Sequence, residues 1–497
     1  MVNLLQNIEK GCDTMATDKE KRYSGIFAYK GQELPGHITY SKENGHIDIT
    51  LTKRYEAVVE YCQESWDERL YEESNRIRTV RIPYIGGTLH NGDKVTLFNC
   101  SRYYDVSNGT VRTRKFRADY MIFDELEDTT VRYNRFTFVV ENGLLWGGMS
   151  QVVNNQNKKD LSEQVRFRTN DFVKRYTWAD TKVKFSTQLD YTDLVQAERL
   201  ERCSVTEYLK IQLIAQSGNK PVKDFLKMRD QIMAMISFAI KGNVNIVSQF
   251  FCAKEDYDSY ETPLGTEERK YKQFHVVTNE KLRPLFENQS DEYNFFLKDL
   301  PERKDLGATI GKLLPVFELY SSFYRYIDMP LEMLFLNVTQ ALETFHARFF
   351  YNNEKQKMVA SVKARFGILE ETSILRKQLL ASLNNPNILL VSRLNDLLVR
   401  GSNKLFSEFY EEDPEYGYRV AQTRNYLTHY PIEIEGEILE GNDLYDAIKI
   451  LKWLLEYHVC TVLGIAKAEQ KIRYQLYPGQ EREDQENLLQ ENGYFDK

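Results

Sequence analysis

Arg424 and His429, in the stretch VAQTRNYLTHYP from Val420 to Pro431, are the residues of this chain whose types and spacing suit a definite chemistry. A guanidinium is a permanent, fork-shaped charge matched to phosphate oxygens. An imidazole gains and loses a proton near neutral pH. Together they suit acid–base chemistry at a phosphate group. Spacing alone carries little weight. With 31 arginines and 7 histidines, an Arg followed by a His after four to six intervening residues arises by chance about once. A second such pair, Arg269 and His275 in EERKYKQFHVV, falls in a charged turn that leads into a short strand.

Local context separates the two pairs. A helix over Glu415 to Tyr430 puts Tyr416, Val420, Leu427 and Tyr430 on an apolar side, and Gln422, Asn425 and His429 together on another side at steps of three and four. Pro431 stops this helix, so His429 sits in its last turn. There the negative end of the helix dipole favours a positively charged group. Five positions at ~100° per residue place Arg424 and His429 about 140° apart on a straight helix. Either the helix end is distorted, or a second copy completes the site, Arg424 of one chain meeting His429 of the other.

Competing motifs fall away. GATIGKL at 307–313 has three residues between its glycines where a phosphate loop has four, and Leu313 stands where a Ser or Thr would hold magnesium. The acidic run FDELED, Phe123 to Asp128, reads as a solvated loop. His458 lies in the stripe Leu444, Ile448, Leu451, Leu455, Val462 and Ile465, and is expected to be a packed histidine. The same stripe is long enough for a dimer seam, although burial inside one bundle is the commoner arrangement. Six cysteines show no CxxC and no metal-ligand spacing with His, so they read as reduced, mostly buried thiols. No metal or cofactor is expected.

The elements that must position the pair follow from hydrophobic period. From Tyr23 to about Gln216 the pattern alternates and is broken by turn signals such as Asn44-Gly45 and Asn91-Gly92; TEYLKIQLIA is typical, with Leu209, Ile211 and Leu213 between Lys210 and Gln212. Many short strands of this kind predict a sandwich or barrel, with an acidic helical interruption at Ala57 to Asn75. PVKDFLKMRDQIMAMISFAI is a helix opened by Pro221 in its first turn. Strands at Asn245 to Cys252 and Phe274 to Val277 follow. After Lys312 the chain is helical: Leu331 to Tyr351 with its apolar residues stepping by three and four, then Lys355 to Phe366, Ser373 to Leu383, Asn387 to Arg400, Lys404 to Tyr410, the motif helix, and a long helix from about Asp443 to Gln475.

The expected architecture is therefore α+β and multidomain. It runs as an N-terminal tail (1–22), a β-rich, sandwich-like, sensor-like domain (23–216), a mixed connecting region (217–320), an all-α helical bundle (321–478) and an acidic flexible tail (479–497). A net charge of −7 argues against a general nucleic-acid coat. No run is long and apolar enough to span a bilayer, and the start lacks a signal-peptide pattern, so a cytoplasmic protein is expected.

Arg424-Asn425 followed by His429, on a late helix ahead of a long final one, resembles the Arg, polar residue, x3, His signature of HEPN domains. FLNVTQALETFH, Phe335 to His346, is similar to the first core helix of those domains, with Glu343 at the acidic position that faces the motif, beside Gln340 and His346 on one polar stripe. GTLHNGDKVTLFNC, Gly87 to Cys100, with GLLWGG, Gly143 to Gly148, resembles the N-terminal domain of ApeA-like bacterial anti-phage proteins. The resemblance implies a metal-independent endoribonuclease that dimerises through its helical domain and leaves a 2′,3′-cyclic phosphate and a 5′-hydroxyl. It implies His429 as general acid or base, Arg424 as the stabiliser of the phosphorane, Asn425 as a positioner of phosphate or His, and Glu343 as the group that orients Arg424 or His429. RNA, with tRNA or another structured RNA among the candidates, would be the substrate, and the N-terminal domain would sense a phage-derived trigger. The rival expectation is a non-catalytic ligand- or nucleotide-binding scaffold that uses the β-domain for recognition and the helices for dimerisation.

Overall fold

The computed structural model describes residues 20–55, 80–108, 110–123, 132–147, 152–154, 165–167, 173–191, 205–254, 271–279, 293–326, 328–351, 389–400, 405–430 and 438–465. The expected helices at 57–75, 355–366 and 373–383, the tails, Arg269 and most of FDELED lie outside them.

Six strands open the fold: β1 (Glu20–Tyr29), β2 (Gln32–Ser41), β3 (His46–Arg54), β4 (Arg81–Leu89), β5 (Lys94–Ser107) and β6 (Val111–Ala118). The turn signals sit where they were expected, Gly45 (φ 64°) between β2 and β3 and Gly92 (φ 89°) between β4 and β5, because only a residue without Cβ takes these left-handed angles at little cost. The strands pair antiparallel in the order β5-β4-β1-β2-β3-β6, and β6 also pairs with β5, which closes a barrel. Inside it Phe27, Ile38, Ile47, Ile49, Ile85, Val95, Leu97 and Phe116 are fully buried.

Gly87, in the stretch that carries the N-terminal resemblance, makes room for Phe27. A Cβ there would come within 2.3 Å of the Phe27 ring and 2.7 Å of the Ile26 carbonyl oxygen. Backbone cannot rotate away as a side chain can. Gly87→Ala is therefore expected to destabilise the protein by about 1–3 kcal/mol, read as a lower urea midpoint at unchanged slope.

The sheet continues past the barrel. Strand β7 (Tyr120–Phe123) pairs with β5, and then come β8 (Arg135–Glu141), β9 (Lys174–Trp178), β10 (Thr181–Tyr191), β11 (Val205–Ala215), β12 (Asn245–Lys254) and β13 (Tyr271–Thr278). The order across this part is β9-β10-β11-β8-β12-β13-β7-β5. The alternation expected in TEYLKIQLIA is present, with Leu209, Ile211 and Leu213 fully buried. In β8 the residues Phe136, Thr137, Phe138, Val139 and Val140 are all buried, as a strand covered on both faces requires. A short helix α1 (Leu144–Gly147) seats Trp146 against Phe185 and Phe295. The two strands expected in the connecting region are thus members of the same sheet. The described cysteines Cys100, Cys252 and Cys460 are buried, and burial pushes the Cys100 thiol up to about 12 and the Cys252 thiol up to about 11.

The helices are α2 (Val222–Ile240), α3 (Leu306–Tyr320), α4 (Ser322–Arg325), α5 (Leu331–Phe349), α6 (Leu390–Val399), α7 (Leu405–Glu412), α8 (Tyr416–His429) and α9 (Gly441–Leu463). Pro221 is the residue just before α2 rather than inside its first turn. GATIGKL lies within α3, where Gly307 packs on Trp178 and Gly311 approaches Gln231. The glycines that mimic a phosphate loop therefore serve helix packing. The final long helix breaks before the end its pattern suggested, and 466–475 lie outside the described residues. It stops at Leu463 because Gly464 takes a left-handed conformation (φ 82°) and its N–H bonds back to the last turn.

One apolar cluster runs from the second half of the sheet through α2 and α3 into α5 and α9, with Phe225, Phe238, Phe317, Phe335, Leu342, Leu451 and Leu455 all buried in it. At its centre a polar knot is enclosed. Glu456 on α9 accepts a hydrogen bond from Lys241 Nζ at 3.0 Å and another from the Tyr320 hydroxyl. Burial would push the Glu456 carboxyl up, yet Lys241, Lys452 and Tyr320 together hold it below the ordinary glutamate value. No described helix is long and apolar enough to cross a membrane.

Candidate active site

The motif helix α8 is fixed by residues on its buried side. Tyr416 donates to the Ala447 carbonyl of α9 at 3.2 Å, and Val420 is fully buried. Thr423, the residue just before Arg424, donates to the Arg419 carbonyl at 2.8 Å and accepts from the Leu439 N–H at 2.9 Å, which ties down the chain returning toward α9. Gly417 lets α8 approach α6: a Cβ there would lie 2.1 Å from Asn395 Oδ1.

With α8 so placed, Arg424 faces α5. Its Nη2 donates to Glu343 Oε2 at 3.4 Å, and its Nη1 donates to Asn425 Oδ1 at 3.3 Å. Arg424, Asn425 and Glu343 are thus brought together. His429 is not. It is the last residue of α8, exposed, and among the described residues it makes no hydrogen bond or ion pair. The helix is regular through His429, so the separation around the axis stands. Tyr430 departs from expectation: it caps the helix in a left-handed conformation (φ 47°) and is 68 % exposed instead of completing the apolar side.

Helix α6 adds what the spacing did not reveal. Arg393 Nη1 donates to the backbone carbonyl of Glu343 at 3.3 Å and stands 4.0 Å from Glu343 Oε1. One carboxylate therefore lies between two guanidinium groups from two other helices. The only sequence signal was that Arg393, Asp396 and Arg400 recur at steps of three and four.

One turn further on, the polar stripe read on α5 is buried. His346 is fully enclosed and its Nε2 lies 3.1 Å from Asp396 Oδ2, while Arg400 forks onto the same carboxylate at 2.7 and 2.8 Å. Gln340, at the other end of that stripe, is exposed. Burial pushes the Asp396 carboxyl up, and the bonds from His346 and Arg400 outweigh it, so its pKa lies below the usual value.

His458 is packed, as expected, with Nε2 donating to the Leu397 carbonyl at 2.8 Å. Burial pushes its pKa down to about 4. The unfolded chain takes up this proton below about 6.5 and the folded chain only below about 4, so the unfolded state binds more protons in between. The contribution is complete above about 6.5 and is lost as pH falls. His458 alone should then cost about 2 kcal/mol of stability on going from pH 7 to pH 5, measured by urea unfolding. A His458→Gln chain should show a correspondingly flatter pH profile.

An antiparallel barrel and sheet leading into a helical bundle, with Arg-x4-His at a helix end and a facing glutamate, define a HEPN-type protein with a β-rich N-terminal half. Residues 22–307 match the family described as ApeA N-terminal domain 1, and residues 336–469 match Apea-like HEPN. The first match spans more than half of the chain, which belongs to the ApeA-like family of HEPN nuclease-type anti-phage effectors. No curated protein and no solved structure matches it.

Proposed function

We propose that this chain is a metal-independent endoribonuclease whose site is shared between two copies. The observation that carries the reading is the placement of Arg424: it is held by Glu343 at a three-helix junction, one-third exposed, while His429 points to solvent from the end of the same helix. A phosphate can reach Arg424, and a second chain can reach His429. In the shared site Arg424 of one copy stabilises the phosphorane, and His429 of the other moves protons between the ribose 2′-hydroxyl and the leaving oxygen. Asn425 and Glu343 keep the Arg424 fork oriented. The products are a 2′,3′-cyclic phosphate and a 5′-hydroxyl.

In the same proposal residues 23–216 sense a phage-derived trigger, 217–320 connect, and 321–478 cut. The test is incubation with total cellular RNA in EDTA, with and without lysate of phage-infected cells, followed by analysis of product ends. Cuts that depend on His429 and end in cyclic phosphate support the reading. Their absence under both conditions would return the chain to the scaffold alternative.

A further inference from the structure

We infer that Arg393 is a positioning residue for RNA binding, acting through Glu343 to keep Arg424 available to phosphate. The inference rests on the nuclease reading for its purpose, and on the geometry of three side chains for its mechanism. Glu343 offers Oε2 to Arg424 at 3.4 Å, and Oε1 stands 4.0 Å from Arg393. Arg393 also holds the Glu343 backbone carbonyl at 3.3 Å, so it is anchored to α5 independently of the carboxylate. Its side chain is 15 % exposed, against 24 % for Glu343 and 33 % for Arg424. The order of exposure matters: Arg393 lies deepest, Glu343 is between, and Arg424 is outermost.

A carboxylate facing a single guanidinium closes both of its oxygens onto the fork and cancels its charge. That would occupy the N–H groups a phosphate needs. Arg393 draws one oxygen of Glu343 the other way, so Glu343 holds Arg424 through one oxygen only, and the three side chains form a cluster of net charge +1. Without Arg393 the carboxylate would turn fully onto Arg424. Arg393 thus opposes capture of Arg424 by its own orienting residue. Asp396, one turn along α6, takes bonds from His346 and Arg400.

The test is a double-mutant cycle read by binding, so that it does not depend on catalysis. The probe is a fluorescent 2′-O-methyl oligoribonucleotide, which presents phosphates but cannot be cut at the ribose. Its affinity is measured for the full chain, Arg393→Gln, Glu343→Gln, and the double variant, with Arg424→Ala as the control. Arg393→Gln is expected to weaken binding about tenfold in the native background and by less than about twofold when Glu343 is already Gln, since no carboxylate then remains to turn. Arg393→Lys should restore much of the loss, because it keeps the charge facing Glu343 Oε1. An equal loss in both backgrounds, no loss in the native one, or binding that does not depend on Arg424 would each overturn the inference. Thermal unfolding of every variant separates these results from a folding defect. The nuclease reading fails separately, on the absence of His429-dependent cuts in native RNA.

Discussion

Replacing His429 by Ala is expected to slow RNA cleavage by about 10³-fold, the usual worth of a positioned general acid–base group. Replacing Arg424 by Ala should cost about 10²–10³-fold, the worth of one group that stabilises developing phosphorane charge. The sharper result concerns the two inactive chains together. Arg424 and His429 leave α8 on different sides, and within one chain only Arg424 meets Glu343. If each site takes Arg424 from one copy and His429 from the other, a mixed dimer of the two variants holds one intact site and one doubly defective site. Equal mixing with free exchange then makes half the dimers mixed and restores about a quarter of the native rate. Sites built within one chain would leave the mixture as inactive as its parts, a result that would discard the shared site while leaving the two residues their roles.

The second large effect lies away from the chemistry. Glu456→Leu removes the carboxylate that accepts from Lys241 and Tyr320, and both partners sit in the continuous core, Tyr320 fully buried and the Lys241 side chain 11 % exposed. A buried ammonium that loses its carboxylate costs about 3–5 kcal/mol, so urea unfolding should show a loss of that size. The double variant Lys241→Met with Glu456→Leu should recover most of it, because apolar replacement of a whole buried pair is close to neutral. No recovery would mean that Lys241 is held by other groups and that the pair is not the unit. Lys241 closes α2 and Glu456 lies on α9, so the pair ties together two helices far apart in the chain. The two helices unfold together if this knot joins them.

Much of the fold was legible because it is set by neighbours in sequence. Asn44-Gly45 and Asn91-Gly92 marked hairpins through their backbone angles. Leu209, Ile211 and Leu213 marked a strand with one wet face. Steps of three and four marked α5, and Pro431 marked the end of α8 one residue after Tyr430. Errors arose where one residue overrode a pattern. The stripe beyond Leu463 continued past Gly464, whose left-handed conformation ends the helix, and Tyr430 left the apolar side by adopting the same conformation.

Of the site, the sequence by itself determined which groups are present and the angle between two of them, because residue type sets charge and proton affinity and helical pitch sets direction. It also supplied Glu343, through the resemblance carried by Phe335 to His346. Only the tertiary structure decided that β6 pairs with β5 to close a barrel, that α6 brings Arg393 to the far side of Glu343, that His346 is sealed beneath it against Asp396, and that Arg424 and His429 do not meet within one chain. Each of these depends on contacts between residues far apart in the chain. Their choice is made by which apolar faces pack together, and the spacing of polar residues does not record it.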